Sequence, residues 1–181
     1  MMAEPSVSAL LQLLRSDKLK LVVAESLTGG MISAALSRPP GASEVFLGGI
    51  VAYSTQLKSG LVGVSRALLE NQGAVDPEVA MQLAEGARNQ MLRAGAVTDI
   101  REVIGLAATG VAGPTKQFSR PVGEVFIAIS SSVRGSEAGS KVFAHHFEGS
   151  RDEIREATVV ASIGHLWEEF HQSAGSSESR N

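Results

Sequence analysis

A serine between an apolar run and a glycine-rich turn is the strongest candidate for chemistry in this sequence. Ser26 follows the apolar run 19–24 and precedes Thr28, Gly29 and Gly30, after which a helix is predicted. Two glycines let the backbone approach a ligand closely, and the free N–H groups of a helix start suit a phosphate or an oxyanion. We therefore expect Ser26 to be a nucleophile and the turn 28–30 to bind substrate and supply oxyanion donors. The chain has no cysteine, which excludes a thiolate nucleophile.

A lysine beyond the next predicted strand is the candidate general base. Tyr53 ends the apolar run 45–53, and Lys58 falls in the first turns of the helix predicted after it. The positive potential of a helix N-terminus and apolar neighbours favour a lysine pKa lowered towards ~7–8, as a base requires. Tyr53 is placed to orient the amine or to pass a proton. Spacing alone nevertheless fits a surface cation beside a rim aromatic better than a catalytic pair.

A second glycine-rich turn follows another apolar run. Thr109 offers a hydroxyl there, and Gly110 and Gly113 open backbone N–H groups. This turn becomes a candidate substrate site if its strand lies beside the strand that precedes Ser26. Such turns are more often simple tight turns than ligand sites, so the segment alone leaves both interpretations open.

Composition narrows the class of protein. The chain has 181 residues, 44% of them hydrophobic, and a net charge of −3 without a basic cluster. These features predict one domain and argue against a nucleic-acid-binding surface. No apolar run reaches the ~20 residues that span a bilayer, so we expect a cytoplasmic protein without a membrane partner. The sequence leaves the oligomeric state open, a homo-oligomer included.

The four histidines do not predict a metal site. His145 and His146 are adjacent on a predicted strand and point to opposite faces, while His165 and His171 are six residues apart on a helix and do not share a face. The absence of cysteine also removes thiolate ligands. We therefore expect solvated or half-buried histidines and no metal.

The elements that must position these residues alternate between helix and strand. Asp76-Pro77-Glu78 is the clearest helix start, and Ser6 or Ser8 can cap the opening helix. Strands are predicted over 19–24, 45–53, 103–108, 124–132 and 141–147, and helices include 29–38, 56–61, 65–71 and 152–170. This order predicts a three-layer α/β/α sandwich with a mixed sheet of about five strands. Residues 1–172 form its single domain, and 173–181 form a flexible tail.

Several of these segments, taken together, resemble the signature series of the CinA C-terminal domain family. They are 24–30, Tyr53-Ser54 with Lys58, 110–114, 121–123 and 149–151, and the resemblance extends from Val7 to Phe170. The family includes stand-alone nicotinamide-nucleotide amidases. The resemblance implies hydrolysis of the carboxamide of nicotinamide mononucleotide to nicotinate mononucleotide and ammonia. It also implies Ser26 and Lys58 as the catalytic pair, with no metal or other cofactor.

Arg151 is the candidate that would recognise the phosphate of such a nucleotide. It stands at the start of the last predicted helix, where a cation and a helix N-terminus both favour an anion. The alternative is that Arg151 caps this helix or pairs with Glu153 or Glu156. Thr109 is a candidate to hold the ribose or the amide.

The sequence departs from the family pattern at a few positions. Leu27 stands where cysteine is frequent, 116–118 replace a glycine-rich run, Arg120 stands where lysine is common, and Ser150 replaces an acid. Substrate contacts from the loop 116–119 therefore stay open.

Two rival functions differ in the residues that they require. A non-catalytic nucleotide-binding module needs the glycine turns and Arg151, but neither Ser26 nor Lys58. An esterase or peptidase of the usual serine-hydrolase type is expected to carry Gly-x-Ser-x-Gly with a later acid and histidine. The sequence around Ser26 does not fit that second pattern.

Overall fold

The computed structural model describes residues 6–132 and 139–175 of the chain. The helices in these residues are α1 (Val7–Ser16), α2 (Met31–Ser37), α3 (Thr55–Gly60), α4 (Arg66–Gln72), α5 (Pro77–Arg93) and α6 (Arg151–Gly175). The strands are β1 (Lys20–Glu25), β2 (Phe46–Val51), β3 (Val103–Gly110), β4 (Glu124–Ser131) and β5 (Gly139–His146). Each of them lies where the sequence predicts an element of its type, with ends that differ by a few residues.

The strands form one mixed sheet in the order β2-β1-β3-β4-β5. β1 runs parallel to both β2 and β3, whereas β3-β4 and β4-β5 are antiparallel. Glu25, the last residue of β1, pairs with Val51 and Ala108. The carboxyl ends of β1, β2 and β3 therefore meet at one edge of the sheet, where ligands bind in open α/β proteins.

Helices cover both faces of this sheet, which confirms the predicted three-layer sandwich. Side chains alternate along β1, so Leu21 and Val23 face one layer while Val22 and Ala24 face the other. The first layer consists of α1, α2 and α6, which bury apolar residues against Leu21 and Val23. The second consists mainly of α4 and α5, which pack on the opposite face. Burial on both faces explains why β1 reads as a continuous apolar run.

Side-chain caps fix the starts of several helices. The hydroxyls of Ser6, Ser54 and Ser65 accept hydrogen bonds from the first turns of α1, α3 and α4. Asp76 caps α5, with Pro77 in the first turn, as the sequence predicts. Ser150 and Glu153 form a capping box at α6, because each side chain accepts a hydrogen bond from the other residue's backbone N–H.

The last helix is longer than predicted. The sequence predicts helix over 152–170 and a flexible tail from residue 173, whereas α6 continues to Gly175. The remainder of that tail, 176–181, lies outside the described residues. Despite this length, neither α6 nor another helix in the described residues is long and apolar enough to cross a membrane. Two 3-10 turns, Ala42–Glu44 and Ile100–Glu102, were not predicted because such short segments carry no hydrophobic periodicity.

Gly86 lets α5 pack closely against the chain that follows α3. A Cβ atom at this position would overlap the carbonyl oxygen of Val62, whereas a Cβ at Gly164 of α6 would meet no atom. We expect Gly86→Ala to lower the free energy of unfolding by about 1–3 kcal/mol, because backbone must move to relieve the overlap. We expect Gly164→Ala, the matched control, to raise it by up to about 1 kcal/mol through helix propensity. Urea unfolding of both variants measures the difference, and equal effects would contradict the packing argument.

Candidate active site

A cavity of about 270 Å³ opens at the edge where β1, β2 and β3 end. Its lining comes from the turn after β1, the segment after β2, the chain before α5, the loop after β3 and the start of α6. The lining residues are Ser26, Leu27, Tyr53, Lys58, Ala74, Gly110, Val111, Ala112, Gly113, Thr115, Lys116, Gln117 and Arg151. The structure thus brings together six of the residues singled out in the sequence: Ser26, Tyr53, Lys58, Gly110, Gly113 and Arg151.

Ser26 is held by its backbone and leaves its hydroxyl unengaged. Its N–H donates to the carbonyl of Ala108 at 3.0 Å, and its carbonyl accepts from the N–H of Gly29 at 3.1 Å. The side chain lines the cavity, and within the described part of the chain its hydroxyl makes no hydrogen bond. A hydroxyl in this setting is available to a bound ligand.

Lys58 is the largest fully buried side chain in the described structure, with 1% of its surface exposed. Its Nζ donates to the carbonyl oxygens of Ala52 at 2.8 Å and Tyr53 at 3.2 Å. Burial lowers its pKa from 10.5 to about 8, since removal from water penalises the charged form. Among residues 6–132 and 139–175, no carboxylate pairs with the Lys58 amine to offset the effect of burial on its pKa.

Two carbonyl acceptors match the hydrogen-bonding capacity of a neutral amine. A neutral primary amine has two N–H donors and one lone pair, whereas an ammonium group has three donors and no acceptor. The carbonyls of Ala52 and Tyr53 use both donors of the neutral form. The lone pair is then left to accept a proton. The local geometry is therefore compatible with the neutral amine, which a pKa of about 8 makes the main form only above that pH.

Tyr53 and Arg151 form a bridge across the rim of the cavity. One guanidinium nitrogen of Arg151 donates to the Tyr53 hydroxyl at 2.7 Å, and another donates to the carbonyl of Gly113 at 2.6 Å. Tyr53 thus contacts Lys58 through its backbone carbonyl, while its side-chain hydroxyl binds Arg151. Arg151 forms no ion pair with Glu153, whose carboxylate accepts from the backbone of Ser150.

Glu25 occupies the helix N-terminus at which the sequence predicts a bound ligand. The carboxylate is fully buried and accepts hydrogen bonds from the backbone N–H groups of Gly30, Ile32 and Ser33 at 2.8–3.1 Å. The Ser33 hydroxyl donates to the same carboxylate at 2.5 Å. Glu25 therefore satisfies N–H groups at the start of α2 that would otherwise lack an intrahelical partner.

The structure consequently differs from the sequence prediction at Gly29 and Gly30, whose N–H groups were expected to be free for a ligand. The N–H of Gly30 donates to Glu25 and that of Gly29 donates to the carbonyl of Ser26, so neither is free for an oxyanion. The hydroxyl of Thr28 is buried without a partner, and Thr28 is absent from the cavity lining. The φ angles of Gly29 and Gly30 are +59° and +103°, so these glycines serve the shape of the turn.

Thr109 also lies apart from the cavity, although the next residue, Gly110, lines it. It is fully buried, and its hydroxyl donates to the carbonyl of Ala74 at 2.7 Å. Its side chain therefore secures the chain before α5. Gly110 and Gly113 do line the cavity, Gly113 with φ +91°. Thr109 and Gly110 lie within β3, which extends two residues beyond the predicted 103–108, and the structure brings Gly110 and Gly113 to the candidate site while the threonine hydroxyl stays in the interior.

Two of the histidines, which do not line this cavity, contact each other. The Nε2 atoms of His145 on β5 and His165 on α6 lie 2.8 Å apart, a contact that the sequence did not predict. Burial lowers the pKa of both imidazoles. Among the described residues, no group of three or more histidine, aspartate or glutamate side chains is arranged to hold a metal ion.

Comparison with known proteins places this arrangement in a family. A model of the CinA C-terminal domain matches residues 3–170. The chain belongs to the CinA C-terminal domain family. The match includes every segment that lines the cavity.

Individual CinA relatives agree with this assignment. The chain is 43% identical over 164 residues to a CinA-like protein of Prochlorococcus marinus, covering 90% of the chain and 35% of that protein. It is 38% identical over 160 residues to a CinA-like protein of Geobacter sulfurreducens, covering 88% and 35% respectively. The chain thus spans about a third of the length of these curated relatives.

Solved CinA structures share the whole fold. The structure of a competence-damaged protein (CinA) superfamily protein from Escherichia coli aligns with TM-score 0.79 and 28% identity over 92% of both chains. The competence/damage inducible protein CihA from Agrobacterium tumefaciens aligns with TM-score 0.73 and 31% identity, over 92% of this chain and 97% of the other. The mixed α/β architecture is therefore that of the CinA superfamily.

Sequence reasoning missed two residues that shape the turn after β1. Glu25 carried a usable signal, because an acid directly before a helix start can satisfy the N–H groups of its first turn. Arg155 of α6 carried none: its Nε and a terminal nitrogen donate to the carbonyls of Leu27 at 3.1 Å and Thr28 at 3.3 Å. These two contacts join residues that are separated by 128 and 127 positions in the sequence, and local patterns do not reveal them.

Proposed function

We propose that this CinA-family chain hydrolyses the carboxamide of nicotinamide mononucleotide, giving nicotinate mononucleotide and ammonia. The observation that carries the proposal is the buried Lys58 amine, which lines the same cavity as Ser26 and donates only to two backbone carbonyls among the described residues. A buried amine with a pKa of about 8 is partly neutral at physiological pH and can act there as a general base. The family resemblance supports the choice of substrate.

Acylation begins with proton transfer from Ser26 to Lys58. The Ser26 oxygen attacks the carboxamide carbon, and the neutral Lys58 amine takes the hydroxyl proton as the C–O bond forms. The tetrahedral intermediate then collapses, and the C–N bond breaks while the Lys58 ammonium returns that proton to the leaving nitrogen. Ammonia departs and an ester joins nicotinate mononucleotide to Ser26.

Deacylation uses the same two groups, with Lys58 again as the base and Ser26 now as the leaving group. A water molecule attacks the ester carbon, and Lys58 accepts one of its protons. The bond to Ser26 breaks, Lys58 returns the proton to the serine oxygen, and the product leaves as a carboxylic acid that loses its remaining proton to solvent water. Each cycle thus consumes one water and restores both residues, and no step calls for a metal ion.

Two cations on the cavity lining favour an anionic substrate. Arg151 and Lys116 both line the cavity, Lys116 from the loop that departs from the family pattern. Arg151 also stands in the first turn of α6, where the helix dipole favours negative charge. A phosphate monoester on the substrate would meet both cations. Gly110 and Gly113 lie on the wall between β3 and this rim, where they suit the ribose.

Ammonia release from three related amides tests the proposal. We expect turnover of nicotinamide mononucleotide, weaker turnover of nicotinamide riboside and the weakest turnover of free nicotinamide, because each step removes recognition by the cavity. Added chelator is expected to leave the rate unchanged. Binding of the mononucleotide without release of ammonia would instead support the non-catalytic nucleotide-binding alternative, and dependence on a divalent ion would contradict the serine-lysine mechanism.

Arg151→Ala is expected to reduce the preference for mononucleotide over riboside by about tenfold, since one charge-assisted hydrogen bond is worth roughly 1.5–3 kcal/mol. Turnover of the riboside should change little. Measuring kcat/KM for both substrates gives the preference directly. Arg66→Ala, which removes an exposed arginine outside this cavity, is the matched control. An unchanged preference in Arg151→Ala would place the phosphate elsewhere on the lining.

A further inference from the structure

Arg155 connects the last helix to the turn that carries Ser26. Its side chain is one quarter exposed and makes three kinds of contact. Nε donates to the carbonyl of Leu27 at 3.1 Å, one terminal nitrogen donates to the carbonyl of Thr28 at 3.3 Å, and the other pairs with Asp152 at 2.9 Å. Arg155 is absent from the cavity lining, which includes Arg151 instead.

The two carbonyl contacts fix the orientation of two successive peptide planes. In a trans peptide the C=O and N–H groups point in opposite directions, so holding the carbonyl of Thr28 also sets the direction of the Gly29 N–H. That N–H donates to the carbonyl of Ser26, and the same peptide geometry then sets the direction of the Leu27 N–H. The guanidinium is a rigid planar group, and it holds both carbonyls in a fixed relation. This restraint matters here because Gly29 and Gly30 follow directly. Both have positive φ angles, and without a Cβ atom they place few steric limits on the backbone.

Hydrogen bonding leaves two backbone donors of this turn uncommitted. Gly29 donates to Ser26, Gly30 donates to Glu25, and the N–H of Met31 donates to the carbonyl of Thr28. Within the described residues, the N–H groups of Leu27 and Thr28 have no acceptor. Leu27 lines the cavity next to Ser26. An N–H group directly after a nucleophile is well placed to meet the oxygen of the carbonyl under attack.

We propose that Arg155 is a positioning residue that orients the Leu27 N–H group to bind the oxyanion formed during acyl transfer. This inference rests on the proposed amidase function, and it assigns the oxyanion to a donor just before the turn 28–30, for which the sequence predicts the donors. Arg155 acts through the backbone and does not itself line the cavity. Glu25 holds the other end of the same turn through Gly30 and α2, so the turn is fixed from both ends.

Arg155→Met tests the proposal, with Asp152→Asn as the matched control. The methionine keeps a long apolar side chain and removes both carbonyl contacts, while the control removes only the ion pair of an aspartate that is 78% exposed. We expect Arg155→Met to lower kcat for the mononucleotide at least about tenfold with KM changed less than about twofold, because misplaced oxyanion donors weaken only the transition state. The pH midpoint of activity should stay unchanged, and Asp152→Asn should resemble the wild type.

Two further measurements separate positioning from a general structural role. The amide ¹H–¹⁵N signals of Leu27, Thr28 and Gly29 should shift in Arg155→Met, while signals from β4 and α5 stay in place. Arg155→Lys should restore part of the lost kcat, since an ammonium group can still reach one carbonyl. Unmoved turn amides, or a rise in KM with kcat intact, would overturn the proposal.

A serine-directed phosphonofluoridate keeps this test separate from the choice of substrate. Attack by Ser26 forms a P–O bond and releases fluoride, and the phosphoryl oxygen then occupies the position of the oxyanion. If the wild type releases no ammonia from the mononucleotide, the proposed function fails, and the labelling rate still measures the role of Arg155. We expect labelling of Arg155→Met to be at least about tenfold slower than that of the wild type. An equal labelling rate, or no labelling of the wild type, would overturn the inference.

Discussion

Ser26→Ala and Lys58→Ala are each expected to lower kcat for release of ammonia from nicotinamide mononucleotide by at least about 10³-fold. In the proposed mechanism Ser26 supplies the attacking oxygen, and Lys58 supplies the lone pair that takes its proton. Because both residues act in one proton transfer, either loss stops the same step. The double variant is therefore expected to be no slower than the slower single variant, which is a non-additive result.

Single-turnover assays measure this effect, and two matched substitutions control for it. Ser59→Ala changes a serine one position after Lys58 that lies outside the cavity lining, and Lys141→Ala changes a lysine that pairs with Glu169 far along the chain. Both controls should keep the wild-type rate, and urea unfolding should show that all variants are folded. Near-normal turnover by Ser26→Ala would refute the nucleophile assignment. Additive losses in the double variant would show that Lys58 acts independently of Ser26.

Activity is expected to rise about a hundredfold between pH 6 and pH 9, with a midpoint set by the Lys58 pKa of about 8. Only the neutral amine can accept the serine proton, so below the midpoint kcat/KM falls about tenfold for each unit of pH. The measurement is a profile of kcat/KM against pH, with circular dichroism at each pH to show that the fold is retained. A profile that is flat between pH 6 and pH 9 would contradict the role of Lys58 as base.

The same ionisation makes the stability of the protein depend on pH. The pKa of Lys58 is lowered from 10.5 to about 8 on folding, so between these values the unfolded chain binds a proton that the folded chain has released. Stability therefore rises with pH across this window, and the penalty for burying the charge is present in full below pH 8. The shift corresponds to roughly 3 kcal/mol. Lys58→Met removes the group, so the stability of the wild type relative to this variant should rise by that amount between pH 8 and pH 10.5.

Local patterns were sufficient for most of the fold. Capping residues such as Ser54 and Asp76 marked helix starts, and continuous apolar runs marked the buried strands β1 and β3. The order of the strands in the sheet is harder to predict from local patterns. Parallel strands joined by helices are nevertheless buried on both faces, which predicts helices on each side of the sheet. For these reasons the sandwich and the edge that holds the candidate site were predictable.

The hydrogen bonds inside the site were not predictable in the same way. A glycine turn before a helix indicates free N–H groups, but it does not reveal that Glu25 already occupies the helix start. The sequence shows Thr109 after an apolar run, as it shows Ser26, yet Thr109 lies within β3 and its hydroxyl donates to the carbonyl of Ala74 in the interior. Arg155 reaches the turn only because α6 packs beside α2, a contact between distant parts of the chain. Three-dimensional packing, rather than residue type, decides these partners.

The carbonyl acceptors of Lys58 have a consequence for the substitutions that this chain can tolerate. Backbone carbonyls of Ala52 and Tyr53 hold the amine, and a point substitution cannot delete a main-chain oxygen. These two acceptors are therefore retained whatever side chains stand at the two positions. Another part of the cavity lining comes from the loop after β3, including Lys116 and Gln117. Substitutions in that loop can thus alter the lining that meets a ligand, while the main chain keeps the amine in position.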